Sequence, residues 1–152
     1  MPQYPNWVAK NPTKQLPRLQ EEVRLLQLAF PHFKLMMDGD VMYATGHLVT
    51  RSMNAYEVRL YYPENFPYEP PEPIVYDGDV KRYCLEKGVH VAHNRGEKHG
   101  GLFLCVLKPD DRVGVGWSPE KGGYFILNIA AAWLHAHEVQ TVTGKWILPE
   151  AN

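Results

Sequence analysis

The sequence predicts an α+β domain on three observations: an amphipathic stripe of helical period near the start, a series of alternating segments behind it, and a long apolar helical period near the end. The chain has 152 residues, the length of one compact domain, and residues 1–152 are read as a single unit.

Pro17 suits the first position of a helix, where its missing N–H leaves nothing unpaired. Leu19, Val23, Leu26 and Phe30 follow at helical spacing as one apolar stripe, with Arg18, Glu21, Glu22 and Arg24 on the wet side. Pro31 ends the element. The period then changes. Phe33–Met37 reads as a short strand before the turn signal Asp38-Gly39. Val41–Val49 alternates, with Met42, Ala44 and Leu48 on one face and Val41, Tyr43 and Val49 on the other. After a turn at Arg51–Asn54, Tyr56, Val58, Leu60 and Tyr62 alternate with Glu57, Arg59 and Tyr61. Pro73–Tyr76 makes a fourth strand, so the expected sheet is a four-stranded antiparallel meander. Residues 77–104 show no sustained period, and an irregular stretch of that length inside a compact domain is usually functional. The last element is a helix with Ser118 as N-cap and Pro119 as its first residue. Phe125, Ile126, Ile129, Ala130, Trp133 and Leu134 recur along it at helical spacing, and Gly122 and Gly123 weaken its first turn. It should stop before Thr143-Gly144, with Trp146 folding back.

Composition narrows the class. Hydrophobic residues make up 45% of the chain, enough for one core and too many for a disordered segment. A formal net charge of -1 supplies no long-range attraction for nucleic acid or an anionic membrane. Met1–Lys10 lacks the apolar run of a signal peptide, and Tyr124–Leu134, broken by Asn128, is too short to span a bilayer. A soluble, cytoplasmic protein is expected. The prolines gather in loops, above all between Pro63 and Pro73, and mark rigid turns.

Two cysteines, Cys84 and Cys105, are too few for a disulfide framework. A single bridge between them is an alternative to two reduced thiols, and the cytosol favours the thiols. Cys105 sits in the apolar run Leu102–Leu107, where a cysteine is by default a small buried hydrophobe. Its surroundings argue otherwise, because polar loops lie on both sides and can leave the thiol open while its flanks anchor it. Thioester chemistry needs an accessible thiolate and an N–H donor for the oxyanion, without a strong base at the thiol. Two other chemistries compete. Cys84, His90, His93, His99 and Cys105 are zinc-ligand types, but their spacing does not match structural zinc sites and no metal is expected. A cysteine hydrolase would pair Cys105 with His135 or His137, both far along the last helix. No glycine-rich phosphate loop is present.

Several motifs in order resemble the ubiquitin-conjugating enzymes. Phe66-Pro67-Tyr68-Glu69-Pro70-Pro71 is similar to that family's Tyr-Pro-x-x-Pro-Pro loop and follows the third strand, as it does there. Gly101 lies one residue further from Cys105 than in the family's Gly-x-x-Cys approach. Trp117-Ser118-Pro119 matches the Trp-Ser-Pro lead-in to the helix after the active site. The resemblance runs from about Pro17 to Leu134 and implies the ubiquitin-conjugating fold, with Cys105 as the residue that accepts an acyl group. The family's His-Pro-Asn is absent. The nearest match is His93-Asn94, eleven residues before Cys105 where the family has eight, so Asn94 or His93 is the implied oxyanion donor. The stretch between Cys105 and Trp117 is longer than usual and holds Asp110 and Asp111.

Towards the end, Trp133-Leu134, Glu138 and Thr143-Gly144-Lys145-Trp146 resemble a bacterial branch found in cyclic-oligonucleotide antiphage defence operons. That resemblance implies a protein partner, a cyclic-nucleotide-synthase-like nucleotidyltransferase joined to Cys105 through its own C-terminus. It implies no cofactor at this step, since any ATP is consumed upstream by an activating enzyme. A non-catalytic module that binds a ubiquitin-like tail on the same fold is the alternative; those relatives lack the cysteine.

Overall fold

A computed structural model of the chain describes residues 4–88, 92, 94–104, 106 and 116–148. Among the described residues there are four helices and six strands: α1 (Asn6–Ala9), α2 (Pro12–Ala29), β1 (Lys34–Asp38), β2 (Val41–Val49), β3 (Ala55–Tyr61), β4 (Glu72–Val75), α3 (Gly78–Lys87), β5 (Asn94–Lys98), β6 (Gly101–Leu104) and α4 (Gly123–Thr143). None of these helices is long and apolar enough to cross a membrane.

Every strand pairing is antiparallel, and the sheet order is β1-β2-β3-β4-β6-β5. The alternating segments form strands close to where their period puts them, but the sheet has six strands, not four. The two added strands and α3 come from residues 77–104, which have no long period because they hold three short elements. Asp77 caps α3, its Oδ1 accepting the N–H groups of Asp79 and Val80. Gly101 lets β6 lie against β4, since a Cβ there would stand 2.6 Å from Ile74 Cγ2 and 2.7 Å from the Val75 carbonyl oxygen.

The first long helix starts at Pro12, not Pro17. Asn11 caps it by accepting the Lys14 N–H, Pro12 takes the first position, and Pro17 lies inside the helix. Both prolines carry the same N-terminal signature, and the helix tolerates the single backbone bond lost at Pro17. One residue of its expected wet side, Glu22, is buried. The final helix also starts later than expected. Ser118 and Pro119 belong to a turn closed by the Lys121 N–H on the Ser118 carbonyl at 3.0 Å, and Gly122 is the N-cap. Its other end agrees with the sequence: Gly144 closes the helix at φ 77°, and Trp146 turns back to set its ring 5.5 Å from Trp133.

The inner face of the sheet, with Met42, Ala44, Leu48, Val58, Leu60, Val75, Leu102 and Leu104, packs against the helices. α4 supplies Ile126, Leu127, Ala130, Trp133 and Leu134 at intervals of three and four, the stripe of a half-buried helix. Trp7 and Val8 of α1 complete the core. The outer face carries an aromatic ladder, Tyr43 on Tyr61 at 5.1 Å and Tyr61 on His99 at 3.9 Å, with Arg59 over Tyr43 and Tyr76.

The first turn of α4 meets α2 and β3 so closely that only glycine fits at position 123. A Cβ there would lie 2.7 Å from Glu22 Oε2 and 2.8 Å from Leu60 Cδ2, as well as against the Tyr62 hydroxyl. Gly123→Ala should therefore destabilise the fold by about 2 kcal/mol despite alanine's better helix propensity. A lower urea midpoint at unchanged slope is the expected reading; a raised midpoint would show the contact to be slack.

Candidate functional site

The sheet register gives the molecule two distinct ends. Tyr61 pairs with Glu72, Leu60 with Pro73, and Phe103 with Ile74. The end of β3, the start of β4 and the end of β6 therefore share one end, where β6 leads toward Cys105. Ala55, Asp77 and Gly101 lie toward the other.

The first end is built around a buried carboxylate. Glu22 is 1% exposed, and its Oε2 accepts the Tyr62 hydroxyl and the Gly123 N–H, each at 2.6 Å. Burial holds this carboxyl above its ordinary value, against the lowering by Tyr62, Gly123 and Arg18. Arg18, one turn earlier, approaches Glu22 at 4.0 Å, donates to the Lys121 carbonyl at 2.5 Å, and lies over the Phe66 ring. Phe66 is packed between Trp7 at 4.8 Å and Tyr62 at 4.9 Å. The Phe66–Pro67 bond is cis, and the Pro67 carbonyl accepts the Trp117 indole N–H at 2.8 Å. Trp117 also faces Phe66 and Phe125. One network thus ties together the two motifs singled out in the sequence, the proline loop and the Trp-Ser-Pro segment. Arg18 and Glu22 anchor it, and a pattern of apolar spacing had put both in solvent. Ser118, instead of capping α4, donates to Glu120.

Of the candidate site residues, Cys105, His93, His90, Asp110 and Asp111 lie outside the described residues. Asn94 is described. It pairs with Leu104, is 3% exposed, and spends its side chain on the backbone: the amide donates to the carbonyls of Cys84 at 3.4 Å and Gly88 at 3.5 Å, and its oxygen accepts the Gly96 N–H at 2.9 Å. It thereby braces the end of α3 against the β5–β6 hairpin.

Cys84 is free, 0% exposed, and lies on the core side of α3. Burial pushes its thiol up to about 12, so at neutral pH the thiolate is on the order of one molecule in a hundred thousand. It is a packing residue. Among the described residues, no three His, Cys, Asp or Glu side chains converge into a group that could hold a metal. His99 is stacked on Tyr61 and close to Glu72. His135 and His137 line a cleft of about 880 Å³ with Asp77 and Tyr56, at the end of the molecule away from where β6 leads. β6 itself spans roughly 10 Å between those ends.

A family model described as type II CBASS E2 protein matches residues 22–152. No curated protein matches the chain.

The Glu22 carboxyl gives a pH test. Its raised folded pKa means that the folded chain holds this proton more tightly than the unfolded chain, whose value is near 4.5. The stability it contributes is full below that value and declines as pH rises through the folded pKa. Glu22→Gln, which keeps an acceptor oxygen, should remove the decline. Glu22→Ala leaves the Tyr62 hydroxyl and the Gly123 N–H buried without an acceptor and should lose about 3 kcal/mol. Urea unfolding between about pH 4 and 7 checks both; an alanine variant as stable as the parent would remove Glu22 from its central position.

Proposed function

The chain belongs to the type II CBASS E2 family, a bacterial E2-like family of antiphage operons, and from that premise we propose that it is a cysteine acyl transferase whose working residue is Cys105. The observation that carries this reading is the family match together with the fate of the other thiol. Of the two cysteines, Cys84 is walled into the core with its thiol pushed up to about 12. β6 ends at Leu104, the residue before Cys105 in the sequence, and it ends where the proline loop and Trp117 are clamped.

The chemistry follows from these positions. The Cys105 thiolate attacks an activated C-terminal carbonyl, and the tetrahedral oxyanion collapses with loss of the activating group to leave a thioester. A lysine amine or another nucleophile then attacks the same carbonyl and returns the thiolate. Asn94 or His93 supplies the hydrogen bond to the oxyanion. For Asn94 an amide N–H leaves the carbonyl of Cys84 or Gly88, contacts whose 3.4 and 3.5 Å lengths put them at the weak end of the range. The step needs no cofactor, since activation takes place upstream. The acyl donor is the C-terminus of a partner protein, a cyclic-nucleotide-synthase-like nucleotidyltransferase of the same operon. A small, extended tail reaches a thiol beside a loop most easily, and its lost chain entropy is offset by main-chain contacts.

Replacing each cysteine by alanine decides the first claim. After co-expression with the neighbouring nucleotidyltransferase, intact-mass analysis should show a thiol-cleavable adduct on the parent and on Cys84→Ala and none on Cys105→Ala; Cys105→Ser should give an ester that thiols do not cleave. An adduct that survives in Cys105→Ala refutes the assignment.

The donor is tested separately by deleting the last residue of the nucleotidyltransferase. The conjugate should vanish from denaturing gels. If it persists at parental yield, the tail is not what Cys105 carries.

A further inference from the structure

The cleft at the other end of the molecule has a chemistry of its own. It is walled by the β2–β3 turn, the start of α3 and the last turns of α4, and its volume of about 880 Å³ suits a small ligand or one long side chain. Among the described residues that line it are three carboxylates, Asp77, Asp79 and Glu138, and no lysine or arginine. Asp77 uses Oδ1 alone to cap α3. Glu138 is held ionised: burial raises its pKa, but donation from Tyr56 at 2.6 Å, Asn54 at 2.7 Å and Thr50 at 2.9 Å outweighs that and the net shift is down. Asp79 pairs only at the surface with Arg82, at 3.5 Å, both side chains being well exposed, and such a pair exchanges readily.

The remaining walls favour the same sign of charge. Tyr83 offers a ring face, and the Lys87 ammonium already stands 5.8 Å from its centre. His137 is 5% exposed, stacks on Trp133 and meets Tyr83 edge-on. Burial lowers its pKa, against Glu138 and Asp77, so the ring adds no cation, and its Nδ1 has no hydrogen-bond partner among the described residues. A buried imidazole nitrogen without a partner leaves a hydrogen bond to be made, and in the tautomer protonated on Nε2 it accepts an N–H. Phosphate would face three carboxylates here. A divalent metal would need converging ligands that the described residues do not form. What fits is a donor-rich organic cation, which takes charge from the carboxylates and a ring face from tyrosine.

We propose that this cleft, lined by Asp77, Asp79, Glu138, Tyr83 and His137, is a second binding site that takes a guanidinium or ammonium group, free or on the side chain of a peptide. It is separate from the end that leads to Cys105, so the site and the thioester reading stand or fall independently.

Titrating the isotope-labelled full chain by NMR tests this. Agmatine and acetyl-Gly-Arg-Gly-amide are the probes, with acetyl-Gly-citrulline-Gly-amide and inorganic phosphate as controls. The two cations should produce saturable shifts up to roughly 10 mM, confined to the amides of residues 52–56, 77–83 and 135–143, and the controls should not. The tighter of the two cations identifies the source, peptide or free amine. Asp79→Asn should weaken binding by about threefold, while Glu120→Gln, at the opposite end, should leave it unchanged. Equal shifts from the citrulline peptide, or shifts spread over the surface without saturation, would overturn the proposal.

Discussion

A single carboxylate holds together the end of the molecule where β3 stops and α4 starts. Glu22 joins three parts of the chain far apart in sequence: it lies on α2, accepts from Tyr62 just after β3, and caps the first N–H of α4. The position is physically reasonable because a helix N-terminus presents unpaired N–H groups and positive potential to an anion. Gly122, the N-cap residue, has no side chain to do this. Burial still dominates the carboxyl's titration and holds its pKa up. The carboxylate is thus retained at a cost in desolvation, and what it secures is geometry: α4 cannot shift along its axis without stranding the buried Gly123 N–H.

The proline loop and the Trp-Ser-Pro segment hang from that junction. Arg18 extends it to Lys121 and Phe66, and Trp117 closes the circuit by bonding the proline loop. The two loops that approach the end of β6 are therefore anchored to one rigid base, as a transfer site requires. The opposite end repeats the device for a different purpose. There Glu138 gathers Thr50, Asn54 and Tyr56, fixing the β2–β3 turn against the last turns of α4. One helix thus carries an anchoring carboxylate contact near each terminus, with a candidate transfer site at one end and an acidic cleft at the other.

The sequence was legible where period dominates. Alternation located β2 and β3 within a residue, and helical spacing identified the inward face of α4 as well as its end at Gly144. It was misleading where polarity stands in for exposure. Glu22 reads as a surface residue because its partners, the Tyr62 hydroxyl and the Gly123 N–H, are 40 and 101 residues away. For the same reason Gly123 reads as a weakness in a helix when it is a point of close approach. Ser118-Pro119 and Pro17 carry valid helix-start signals, but Gly122 and Pro12 hold those places, so local signals alone did not rank the competitors. Residues 77–104 looked irregular because a ten-residue helix and two short strands are each too brief to establish a period. The motifs around Cys105 conveyed the family, while the clamp that joins them depends on contacts no motif contains.

The division of labour between the two ends is tested most directly by comparing Glu22→Ala with Glu138→Ala in conjugation to the nucleotidyltransferase, at temperatures chosen so that both variants are equally folded. The account predicts that Glu22→Ala loses conjugation by at least about tenfold, since its loops no longer share an anchor, while Glu138→Ala stays near the parent. Equal loss in the two variants would contradict it, because the carboxylate at the base of the proposed transfer end would then matter only through stability.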